Sequence, residues 1–144
     1  PYSDLKIFCM KFEFPERHKK ELLKEKEATD KILRELGRSR RLSNSEIYWL
    51  LQERSHESLL YLIAMARKKT AKKAVSHFFT HLRHYKTLIH GADLKKMGYK
   101  SGPIYKTILN HLLEAKLDGV VETKAVEIAF IRSNYPLKKQ KGGS

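Results

Sequence analysis

The sequence contains a single cysteine, Cys9, and has no run of about 18 apolar residues long enough to span a bilayer. One cysteine cannot form an internal disulfide, so it fits a reducing compartment and a packing role. Because no signal peptide is visible either, we expect a cytoplasmic protein with no membrane partner. The start, Pro1 to Asp4, lacks an initiator methionine, which indicates a piece of a longer polypeptide.

Acidic residues are also scarce. The 144 residues include 16 Asp and Glu against 30 Lys and Arg, which gives a net charge of +14. A field of this size favours polyanionic partners, and nucleic acid is the first candidate. Apolar residues make up 41% of the chain, which is enough for one domain or two small helical ones.

Catalytic motifs are absent from the sequence. It contains no general acid–base pair, no nucleophile triad, no phosphate-cradling glycine loop and no Asp-x-Asp pair for two magnesium ions. Asp93 and Asp118 each stand alone. His56-Glu57 begins like a zinc-protease helix, but Leu60 occupies the place of the second histidine. We therefore expect no catalysis, no metal and no cofactor in this chain by itself.

Apolar residues recur at helical spacing along most of the chain. Residues 3–14 are ambiguous between helix and strand, and we favour a helix broken at Pro15 because the rest is helical. A long charged helix then runs to Leu36, and Gly37 stops it. Residues 37–41 form a basic linker and the best candidate for an internal boundary. The domain prediction is a helical body segment with this linker over 1–42, a helical body/tail domain over 43–136, and a disordered basic tail over 137–144.

Serine residues mark the next helix starts. Ser43 and Glu46 form a capping box for a helix ending near Arg54, and Ser55 caps the following one. That following helix is apolar nearly all round, which predicts a buried position in the core. Trp49 and Tyr61 could stack on a base, but core packing is the commoner role for such residues.

A further helix is predicted from Thr70 to about Leu88, with Phe78, Leu82 and Tyr85 among its inward residues. Lys73, His77, His81 and His84 fall on the opposite face. The spacing of His77 and His81 suits a two-ligand metal site, yet no cysteine or carboxylate is near enough in sequence to complete it. Phosphate or 2′-hydroxyl contacts are a better explanation for this face, and plain solvation is the commonest.

The most informative stretch is Ile89 to Gly119. It predicts a short helix (Ala92 to Met97), a tight connection (Gly98 to Gly102) and a long helix. Gly91 and Gly98 are expected to supply backbone freedom, and Ser101 to cap the long helix ahead of Pro103. Amide groups at such a helix start attract anions. An ordinary helical corner with solvated lysines explains the same spacing.

The positive charge is concentrated around this stretch. Eleven Lys and Arg lie between Ser58 and Leu113, opposed by one acid, Asp93. This concentration favours a nucleic-acid surface over a solvated corner. The predicted RNA-binding residues are Arg67, Lys68, Lys69, Lys72, Lys73, His77, His81, Lys95, Lys96, Lys100, Ser101, Gly102 and Lys106.

Several segments resemble the body and tail of bacterial class II tRNA nucleotidyltransferases, the family of CCA-adding, A-adding and CC-adding enzymes and poly(A) polymerases. They are SNSEIYWLL, ESLLYLIAMA, HLRHYKTLI, IHGADLKKMGY, SGPIYKTILNHLLEAKLDGVV and EIAFI. The resemblance covers about two thirds of the chain, from Ser43 to Phe130. The family usually has proline where Ser101 stands, and we expect the turn to survive this change.

The resemblance implies a division of labour. In the family, a head domain that precedes this region holds magnesium and ATP or CTP, and the helical tail grips the tRNA elbow, chiefly the TΨC arm. By position, Gly91, Asp93, Leu94, Gly98, Gly102 and Pro103 would build the tail's motif here.

We therefore predict an all-α, multi-helix body/tail array with a helix-hairpin-helix-like element that binds tRNA beside a nucleotidyltransferase head domain. The alternatives are a structural module that docks on a protein partner and a helix-hairpin DNA-binding domain. The sequence leaves open the oligomeric state and whether the parent adds A, CC or CCA.

Overall fold

A computed structural model describes residues 2–11, 15–38 and 40–137. These residues form eight α-helices and one short 3₁₀ helix, with no strand among them, so the predicted all-α class is confirmed. The α-helices are α1 (Tyr2–Lys11), α2 (Glu16–Leu36), α3 (Asn44–Leu51), α4 (His56–Met65), α5 (Lys69–Thr80), α6 (Gly91–Lys96), α7 (Pro103–Leu117) and α8 (Lys124–Asn134). The 3₁₀ helix is Leu82–His84.

The described residues pack as two units. The first combines the described part of 1–41 with 53–76, and the second combines 42–52 with the described residues from 77 onward. This grouping brings a later segment back to the first helices. The domain boundaries read from composition stay a prediction. So does the role of the tail, since 138–144 lie outside the described residues.

The first unit is built on the long helix α2. Its apolar seam buries Thr29, Ile32 and Leu36. The charged face carries ion pairs at helical spacing, Lys19 with Glu16 at 2.8 Å and Lys26 with Asp30 at 2.7 Å. The helix predicted before Pro15 is confirmed over Tyr2–Lys11. Its final residues, 12–14, and the surroundings of the Cys9 side chain lie outside what the structure describes.

Helix α4 is not buried all round, and that part of the sequence prediction is wrong. Leu59 and Leu62 are buried, whereas Leu60 is 58%, Tyr61 44% and Met65 50% exposed. Tyr61 and Met65 lie one turn apart and Leu60 precedes Tyr61, so the three side chains occupy one broad side of the helix. An apolar composition allows any side of a helix to be buried. Which sides are buried depends on the segments that pack against the helix.

In the second unit, both ends of α3 are tied to α7. Ser43 and Glu46 form the predicted capping box. Asp118, expected to stand alone, also accepts hydrogen bonds from the Ser45 amide at 2.9 Å and the Ser45 hydroxyl at 2.6 Å. Further along α3, Trp49 Nε1 donates to Glu114 at 2.8 Å, so Trp49 has the packing role rather than a stacking one.

A fully buried carboxylate, Glu127 on α8, holds the loop that leads into α6. It accepts the amide hydrogens of Leu88 and Ile89, each at 2.9 Å, and pairs with Lys116 of α7 at 2.7 Å. A charge is tolerated in such a place only when it is paired and hydrogen-bonded. This cluster therefore joins α7, α8 and the loop.

The same cluster excludes a helix that continues to Leu88, and α5 is shorter than predicted. The helix ends at Thr80 instead of near Leu88. The backbone turns extended at Tyr85, and the Leu88 and Ile89 amides bond to Glu127 rather than to carbonyls one turn earlier. Leu82 is buried as expected, but Tyr85 is 39% exposed, so its inward placement was wrong.

We predict that Glu127→Gln lowers the free energy of unfolding by about 3–5 kcal/mol, since it leaves Lys116 with an uncompensated buried charge. Urea unfolding followed by Trp49 fluorescence measures the change. Glu122→Gln is the matched control, because Glu122 is an exposed carboxylate of the same unit, and we expect a change within about 0.5 kcal/mol. A loss below about 1 kcal/mol for Glu127→Gln would show that the cluster is not an anchor.

Candidate nucleic-acid interface

The turn between α6 and α7 has a defined backbone. Gly98 takes a φ of +97°, a left-handed conformation that ends α6, and the Tyr99 amide donates back to the Leu94 carbonyl at 3.1 Å. Pro103 occupies the first turn of α7, as the sequence predicts. Gly91, by contrast, has no positive φ and is simply the first residue of α6, so the backbone freedom expected there is not used.

Ser101 does not cap α7, which corrects the sequence prediction. The capping position belongs to Gly102, with a φ of +154°, which has no side chain to accept a hydrogen bond from the helix amides. The change of backbone direction at Gly102 places Ser101 one residue too early. The first amides of α7 therefore receive no side-chain cap.

Two tyrosine hydroxyl groups hold the turn in place by hydrogen bonds to backbone carbonyls. The Tyr105 hydroxyl donates to the Tyr99 carbonyl at 2.9 Å, and the Tyr99 hydroxyl donates to the Tyr135 carbonyl at 2.7 Å. Burial raises the pKa of the Tyr99 phenol, so it stays a donor at neutral pH. The turn is thus attached to the residue that follows α8.

Lysines surround this turn, and none of them forms a salt bridge with a described acid. Lys95, Lys96, Lys100 and Lys106 are exposed, and no salt bridge joins any of them to a described residue. The one acid nearby, Asp93, accepts the His90 amide at 3.0 Å and lies 3.6 Å from Lys124. Its charge is therefore largely committed to the start of α6.

The other predicted cations lie in the first unit. Arg67, Lys68, Lys69, Lys72 and Lys73 follow α4 or lie in α5, and all are exposed. Lys68 donates to the Gly37 carbonyl, whereas the remaining four form no salt bridge with any residue the structure describes. The predicted binding residues thus divide between the two units, and each group is exposed where it lies.

Two helix starts run against the usual charge preference. A helix N-terminus carries partial positive charge, so acidic residues are favoured in its first turn. The helices other than α5 and α7 follow this rule, with Asp4, Glu16, Glu46, Glu57, Asp93 and Glu127 in their first turns. The first turns of α5 and α7 contain no acid, and both lie beside unpaired lysines. An approaching anion would relieve that repulsion.

The histidines do not form a continuous helix face. His77 lies in α5, but His81 follows its end and His84 lies in the 3₁₀ helix. The rings of His77 and His81 are 5.2 Å apart, and Nδ1 of His81 is 2.7 Å from the Thr80 hydroxyl. Within the described residues, no group of three or more His, Cys, Asp or Glu side chains could hold a metal ion.

The fold and charge define the class of this protein as an all-helical, strongly basic module with exposed cations in each of its two units. No protein-family model matches the chain, and no solved structure matches it. The chain is 33% identical over 124 residues to the A-adding tRNA nucleotidyltransferase of Geobacter sulfurreducens, an alignment that covers 83% of this chain and 14% of that protein. The chain is therefore related to a region of the tRNA nucleotidyltransferases. No described helix is long and apolar enough to cross a membrane.

We predict that Asp93→Asn destabilises the protein at neutral pH and that this difference shrinks in acid. The His90 amide, helped by Lys124 and Lys96, holds the pKa of the Asp93 carboxyl below its usual value of 3.8. A depressed pKa gives stability that is present above the unfolded-state pKa and is lost as the pH falls through the folded-state pKa.

Urea unfolding of both proteins between about pH 7 and about pH 2.5 measures this difference. Lys124→Ala is the control, because it leaves the His90 contact in place and should retain most of the pH dependence. A difference between Asp93→Asn and wild type that stays constant or grows in acid would contradict the assignment.

Proposed function

We propose that this chain is the tRNA-binding module of a tRNA nucleotidyltransferase. In this proposal it holds the elbow of tRNA, chiefly the TΨC arm, while a separate head domain adds A or CCA at the 3′ end. The chain itself is non-catalytic. Magnesium and ATP or CTP would be bound by the head domain.

The observation that carries the proposal is the local excess of exposed cations over acids. Helix α2 mixes its cations with Asp and Glu, and Arg17, Lys19 and Lys26 each pair with a carboxylate of the same helix. Around the α6–α7 turn and at the start of α5, exposed lysines lack one. Unpaired cations repel each other in the free protein, so their concentration favours a polyanionic ligand.

RNA suits the geometry of this surface. Double-stranded RNA is bound mainly through its phosphates and 2′-hydroxyl groups, because its deep major groove is closed to side chains. Exposed lysines supply phosphate contacts, and the start of α7 adds the partial positive charge of a helix N-terminus beside them. The relationship to an A-adding tRNA nucleotidyltransferase favours tRNA as the RNA ligand.

A second candidate is a structural module that docks on a protein partner. The exposed apolar face of α4, with Leu60, Tyr61 and Met65, is the observation that favours it. Such docking would depend weakly on salt, whereas phosphate binding depends on it strongly.

The test is an anisotropy titration of the 144-residue chain with a tRNA-like minihelix, beside a DNA hairpin of equal length, at about 50 and 200 mM salt. We expect tighter RNA binding. If about five cations meet phosphates, log affinity falls with log salt at a slope of about −3.5 to −4.5.

Lys95→Ala/Lys96→Ala should weaken RNA binding and make the slope less steep by about 1.4 to 1.8. Lys20→Ala/Lys24→Ala is the matched control, since it removes two exposed lysines from α2 and changes the net charge equally. We expect this control to bind RNA nearly as well as wild type.

Equal losses in the two double variants would mean that net charge alone drives binding. Equal affinity for RNA and DNA would favour the DNA-binding alternative. No binding to either nucleic acid at low salt would contradict the proposal and favour the structural module.

A further inference from the structure

The segment between the 3₁₀ helix and α6 exposes an aromatic side chain among cations. Tyr85 is 39% exposed, and His84 and Lys86 on either side of it are exposed as well. The sequence contains no acidic residue from Ser58 through Ala92. An aromatic ring in such surroundings can stack on a nucleobase, while the neighbouring cation meets the phosphate.

The backbone of this segment is fixed although it has no regular structure. The Tyr85 amide donates to the Leu82 carbonyl at 3.0 Å, and the Thr87 hydroxyl donates to the Ile89 carbonyl at 2.9 Å. The buried Glu127 carboxylate accepts hydrogen bonds from the Leu88 and Ile89 amides, which follow in the chain. A stacking ring on a fixed backbone loses little conformational freedom when it binds.

The side before Tyr85 is held equally firmly. The Arg83 guanidinium lies 4.2 Å from the centre of the Phe79 ring, and its Nε donates to His84 Nε2 at 3.2 Å. Arg83 thus contacts the Phe79 ring and donates a hydrogen bond to His84. Lys86 forms no salt bridge with the described part of the chain and remains available for a phosphate.

We propose that Tyr85, with Lys86 beside it, forms a binding site for an unpaired nucleobase and its phosphate. The proposal rests on the proposed RNA-binding function and adds to it, because phosphate and shape contacts alone do not distinguish paired from unpaired nucleotides. The ligand class is RNA with at least one base that can leave its stack. The paired stem contacts the lysines near the α6–α7 turn independently.

The experiment compares two RNAs with the same stem, a hairpin with an unpaired loop and a blunt duplex, at one salt concentration. Wild type should prefer the hairpin. Tyr85→Ala should weaken hairpin binding by about tenfold and leave duplex binding nearly unchanged, because stacking acts only on an unpaired base. Tyr85→Phe keeps the ring and should retain the preference.

Tyr61→Ala is the matched control, since Tyr61 is exposed to a similar degree, 44%, but lies among apolar residues on α4. It should leave both affinities unchanged. Circular dichroism of each variant verifies that the helices are intact.

The outcomes separate this inference from the function it rests on. If wild type binds both RNAs but Tyr85→Ala changes neither affinity, or lowers both equally, the nucleobase site is wrong and the RNA-binding function stands. A loss in Tyr85→Phe as large as in Tyr85→Ala also overturns it. If wild type binds neither RNA, both proposals fall.

Discussion

The second unit depends on one buried negative charge. Glu127 on α8 is surrounded by the Lys116 ammonium of α7 and the Leu88 and Ile89 amides of the loop, so the cluster joins three different parts of the chain. Apolar residues could fill the same volume at similar stability, but they could not orient backbone amides. The interaction therefore specifies where the chain leaves the 3₁₀ helix and enters α6, and the positions of the exposed side chains follow from it.

The distribution of charge shows two different uses of lysine. On α2, cations alternate with carboxylates, which keeps a long exposed helix soluble and gives each pair a few tenths of a kcal/mol. Near the α6–α7 turn the same residue type has no partner, and at the start of α7 it lies beside the positive end of a helix. Such an arrangement lowers the stability of the free protein, which is common where a surface serves binding.

Local features of the fold could be predicted from the sequence, and features that depend on distant residues could not. The local sequence reveals features whose partners lie within four residues. These are the capping box at Ser43, the cap at Ser55 and the helix end at Gly37. The exposed face of α4, the early end of α5 and the role of Asp118 depend on residues far along the chain. For the candidate binding residues, the sequence indicated which cations have no acid nearby. It placed Tyr85 inward because nothing local reveals the Glu127 anchor.

The hydrogen bond from Tyr99 to the Tyr135 carbonyl has a consequence for the order in which the protein forms during synthesis. The two residues are separated by 36 positions. At about 5 to 20 residues per second, a ribosome needs about 2 to 7 seconds to add them. Over that interval the α6–α7 turn lacks this hydrogen bond, so its geometry is not yet complete. The turn and its lysines thus acquire their final arrangement only when residues near the end of the described chain are in place.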